Sequence, residues 1–103
     1  MGADTFRATA RAKSANEAFD MLYDQAKYDH GHAGYTGTIA EKPGFRIFEP
    51  PEGMTPKEFV YAIESDKIAY DEKVMELYDD KWAPAVCVQI EEDLWTFLGS
   101  ASS

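Results

Sequence analysis

The chain lacks most of what announces a mechanism. It has one cysteine, Cys87, among its 103 residues, so no internal disulfide can form and nothing argues for export. No apolar run approaches the ~20 residues a membrane-spanning helix needs. Residues 1–12 carry no apolar core of a signal peptide, so a cytoplasmic location is the expectation. Histidine is nearly absent too: both copies, His30 and His32, lie in one segment. No nucleophile, base and orienting group can be assembled into a catalytic set, so an enzyme is the less favoured reading. Cys87 alternates within an apolar stretch, as a packed thiol does rather than a nucleophile.

Positive charge is also scarce where it would matter. The formal net charge is −9. Up to Phe48, six acids and six bases cancel. Beyond it, only Lys57, Lys67, Lys73 and Lys81 stand against thirteen acids. Such a half is repelled by phosphate backbones and by anionic lipid surfaces, which disfavours direct nucleic-acid and membrane binding. The same field attracts a basic protein surface and speeds encounter with it.

What is present is clear periodicity. Thr5 to Ala12 alternates, with Phe6, Ala8, Ala10 and Ala12 on one face, as in a half-buried strand. Ser14 and Glu17 form a capping box, and apolar residues at helical spacing carry a helix to about Tyr28, with Gly31 as its stop. Tyr35 to Ala40 is rich in β-formers, Glu41-Lys42-Pro43-Gly44 suits a type II turn, and Phe45 to Glu49 completes a hairpin. Thr55, Pro56 and Glu58 make a second capping box with proline at the first helical position. From there to Pro84 the chain forms one kinked helix or two consecutive ones. Ala85 to Ile90 and Leu94 to Leu98 form the last two strands, and residues 99–103 are expected to fray.

The expected order is therefore β-α-β-β-α-β-β in a single α+β domain over residues 1–103. A mainly antiparallel sheet with two helices on one face is the natural packing, by analogy with the ferredoxin-like order. That analogy carries no function.

Three functional readings follow. The favoured one is a small acidic protein-protein interaction module that docks on a basic partner surface. Such a surface is one that normally holds nucleic acid, which makes the protein an inhibitor by occupancy. Glu58, Tyr61, Glu72, Glu76 and Asp79 project from the second helical region, with Trp82 at its end and Tyr70 within it. Tyrosine and tryptophan in polar surroundings are common interface anchors. The second reading places a ligand at the segment from His30 to Thr38. His30 and His32 supply two ligands to a divalent metal, or His32, Tyr35, Thr36 and Thr38 line a small-molecule site. A phosphate loop is excluded there, because the segment follows a helix and so meets its negative end. The third reading is a self-assembling subunit, a homo-oligomer joined through an open sheet face bearing Trp95 or Phe97.

Overall fold

The computed structural model describes residues 3–30, 37–65 and 72–102. Its elements are β1 (Ala3–Arg11), α1 (Ala15–His30), a 3-10 turn (Ile39–Glu41), β2 (Phe45–Ile47), α2 (Pro56–Glu64), α3 (Glu72–Asp79), β3 (Ala85–Glu91) and β4 (Leu94–Ser102). The chain is α+β, with a mixed four-stranded sheet in the order β1-β4-β3-β2. β4 pairs antiparallel with both β1 and β3, whereas β2 pairs parallel with β3.

This differs from the expected packing in five respects. The helices do not share one face. On β3, Ala85 and Cys87 point toward α1 and pack with Phe19, Trp95 and Phe97. Val86 and Val88 point the other way and pack with Phe59 and Ile63 of α2, Val74 and Tyr78 of α3, and Leu98. The connectivity requires this. The crossover from β1 to β2 and the crossover from β2 to β3 run in opposite directions across the sheet. Right-handed crossovers in opposite directions leave their helices on opposite faces. Trp95 and Phe97 are therefore buried under α1, and the open aromatic sheet face expected to drive self-assembly does not exist.

The described residues 37–44 also do not form the hairpin expected before β2. Tyr35 and Thr36 lie outside the described residues. Thr38 caps a 3-10 turn, its Oγ1 accepting from the Ala40 N–H at 3.2 Å. Ile39 then points into the core at 3% exposure. Gly44 does not adopt a positive φ, so residues 41–44 form no type II reversal. β2 instead joins the sheet beside β3.

The region beyond Thr55 resolves as two helices, α2 and α3, so the described residues contain three α-helices rather than two. With β1 at an edge and a parallel β2–β3 pair, the ferredoxin-like strand order is not formed. Finally, Gly99 to Ser102 does not fray. It continues β4 in register with Ala3 to Phe6, and its residues are buried.

The expected local signals operate where tertiary contacts agree with them. Ser14 Oγ accepts from the Glu17 N–H at 3.2 Å at the start of α1. The loop before α2 turns at Gly53, whose φ of 86° lies in the left-handed region glycine tolerates.

Candidate interaction surface and cleft

Two surfaces emerge from this framework: one around the end of α3, and a cleft between β1 and α2.

The chain leaving α3 is held from several sides. Lys42 is 3% exposed, and its Nζ donates to the carbonyls of Asp80 at 3.2 Å and Ala83 at 2.8 Å. The ammonium also stands 6.0 Å from the centroid of the Phe6 ring. Burial pulls the Lys42 pKa below its ordinary value, and Asp80 partly opposes that shift. Ser100 Oγ donates to the Tyr78 carbonyl at 2.7 Å, fastening the last turn of α3 to β4. Asp80 Oδ1 accepts from the Trp82 N–H at 2.8 Å. The result is a rigid turn that leaves the Trp82 side chain 58% exposed. The Lys81 ammonium lies 5.4 Å from the indole centroid, a cation–π arrangement. Glu76 and Asp79 are exposed on α3 just before this turn. Burial of Tyr78, with Glu64 and Asp79 nearby, raises its phenol above the usual tyrosine pKa.

The other residues expected on this face divide. Glu72 begins α3, but its side chain, like all of Tyr70, lies outside the described residues. Glu58 has a structural task. Its Oε1 accepts from the Thr55 N–H at 2.8 Å while Thr55 Oγ1 accepts from the Glu58 N–H at 3.1 Å, closing the capping box of α2. These bonds hold the Glu58 carboxyl below its ordinary pKa. Tyr61 is 65% exposed, but it stands over β1 rather than at the α3 turn.

There it walls a cleft of about 330 Å³. Arg7, Lys57 and Glu64 also line the cleft, and Thr9 and Thr96 share a 2.9 Å hydroxyl contact within it. No feature of the sequence flagged it, because β1 and α2 meet only through the tertiary fold.

Sequence also missed the outer face of α1. Glu17, Asp20, Asp24 and Asp29 are all exposed there, beside Met21 and Tyr28. The even charge balance of the first half concealed this segregation. Lys27 is an exposed base on α1 itself, whereas Arg7 and Arg11 sit on the opposite face of the sheet, where Arg11 binds Asp93 at 2.6 Å. Spacings of three and four residues among those acids were the available signal.

For the ligand segment, His32, Tyr35 and Thr36 lie outside the described residues, as does the side chain of His30. Thr38 is engaged as a cap. Asp29 accepts from Gln25 Nε2 at 3.3 Å. Cys87 is sealed between the sheet and α1, and burial pushes its thiol up to about 12, so it does not supply a thiolate at neutral pH. Among the described residues no three histidine, cysteine, aspartate or glutamate side chains cluster as metal ligands do. No helix among them is long and apolar enough to cross a membrane.

No known family model, curated protein or solved structure matches this chain.

Proposed function

We propose that the protein is a small acidic interaction module. It docks the end of α3 on a basic protein surface, and through that occupancy it inhibits a partner whose groove normally holds nucleic acid.

The observation that carries this reading is the Trp82 turn. Trp82 is 58% exposed, and the backbone that carries it is held by the Asp80 and Lys42 hydrogen bonds. An indole on a held backbone has only two side-chain torsions to order on binding, which suits an interface anchor. Its ring already receives a cation, Lys81. A partner arginine or lysine uses the same chemistry, with Glu76 and Asp79 beside it to steer the approach. The outer face of α1 is also acidic, but its exposed Met21 and Tyr28 have no comparable clamp among the described hydrogen bonds.

The reading is tested by capture of partners from native lysate with wild type, E76K/D79K and W82A. A partner held by wild type, lost by both variants and displaced by duplex DNA or RNA supports it. Partners retained equally by all three proteins, or indifferent to nucleic acid, contradict it.

A further inference from the structure

The cleft between β1 and α2 carries net positive charge on an acidic molecule. Arg7 and Lys57 both line it, on a molecule of net charge −9. Its volume of about 330 Å³ falls within the range of small-ligand sites. At the rim, Arg7 reaches Glu64 Oε1 at 3.5 Å, a long and partly solvated pair. Such pairs contribute little and exchange readily for a better partner.

Within the cleft, Thr9 Oγ1 and Thr96 Oγ1 lie 2.9 Å apart. One hydroxyl donates to the other, and the accepting one keeps a proton of its own. Thr96 is 4% exposed while Thr9 is open to solvent, so the pair runs from the floor of the cleft to its mouth. Val60 and Leu94 supply apolar wall, and Tyr61 supplies a ring.

We propose that this cleft binds a small organic monoanion, a carboxylate carried on a flat apolar body. Two cations and one acid leave a single net positive charge, which a monoanion neutralises and a phosphate dianion over-compensates. The guanidinium fork of Arg7 matches a carboxylate in two parallel hydrogen bonds. Lys57 adds a second charge, the threonine pair offers a neutral donor, and the body of the ligand lies against Tyr61. This site is separate from the docking surface, since neither Trp82 nor Glu76 nor Asp79 lines it.

The test titrates the protein with 2-naphthoate, following backbone amide resonances, beside the uncharged 2-naphthamide. The expected result is shifts centred on Arg7, Thr9, Tyr61 and Thr96, with the amide binding about tenfold more weakly. R7Q weakens naphthoate binding by about tenfold, on the scale of a charge-assisted hydrogen bond. E64Q tightens it by about threefold, because it removes the competitor for Arg7 at the cost of one exposed ion pair. Opposite effects from two adjacent substitutions are not produced by loss of fold. Equal affinity for naphthamide, shifts centred elsewhere, or no shift at millimolar naphthoate overturns the proposal.

Discussion

Lys42 connects the stability of the fold to the presentation of its exposed tryptophan, and replacing it with methionine separates the two. The ammonium donates to the carbonyls of Asp80 and Ala83 from a nearly solvent-free position. A hydrogen bond from a charged group contributes about 1.5–3 kcal/mol, so two near the lower limit total about 3 kcal/mol. Methionine keeps the packed stem and relieves the desolvation that lowers the Lys42 pKa, which offsets part of that loss. The net loss expected for K42M is about 2 kcal/mol, or a fall in Tm of about 10 °C for a chain of this size. Urea unfolding at neutral pH measures it, and the Trp82 indole resonance reports the turn at the same time.

The pH dependence has a definite sign. With the folded pKa below 10.5, the unfolded chain holds more protons between the two values. Stability from this group therefore rises with pH through that window, and K42M abolishes the rise. The difference between wild type and variant cancels the other alkaline titrations. Unfolding within about 0.3 kcal/mol of wild type, with an unmoved indole resonance, refutes the clamp.

Cys87 gives the opposite slope. Its thiol is held protonated to about 12 in the folded state, against 9 when unfolded. Stability is intact below pH 9 and falls as pH rises toward 12, by up to about 4 kcal/mol, and C87A removes that component of the alkaline unfolding curve. T55A costs about 1 kcal/mol through loss of the α2 cap. Adding E58A costs little more, because the two bonds are one reciprocal unit, and strict additivity in a double-mutant cycle contradicts that. F97A costs about 3–5 kcal/mol, since the ring meets Phe19 and Phe45 edge-on at the buried centre of the α1 side. A loss under about 1 kcal/mol by denaturant unfolding means that this half of the core is not packed as described.

Local chemistry made much of this fold legible. The Ser14 and Thr55 caps, the alternation of β1 and the strands at β3 and β4 all stand where the residues place them. The errors share one origin: they needed non-local information. Thr38 and Ile39 are good strand formers, but a side-chain bond to the Ala40 N–H and a buried place for Ile39 override that propensity. The spacing of Thr38 and Glu41, one of a capping box, was the overlooked sign. The two-faced sheet was also visible in principle. From Ala85 to Val88 both alternating faces are apolar, and a strand buried on both faces demands cover on both. The tail was misjudged because Gly99 and Ser100 look like an end when no partner strand is known, whereas β1 supplies one. For the candidate site, residue types nominated Trp82 and the α3 acids, and only the fold shows that Lys42 clamps the turn, that Glu58 is a cap, and that Tyr61 belongs to the Arg7 cleft.

The central claim is that the acids beside Trp82 steer the protein onto a basic partner. The most direct measurement is the association rate of wild type and E76K/D79K with a captured partner, taken across a range of ionic strength. The account predicts a wild-type rate that falls steeply with added salt. It also predicts a variant slower by about tenfold or more at low salt, with the gap closing as the Debye length shrinks below about 10 Å. Equal rates for the two proteins at every salt concentration contradict it.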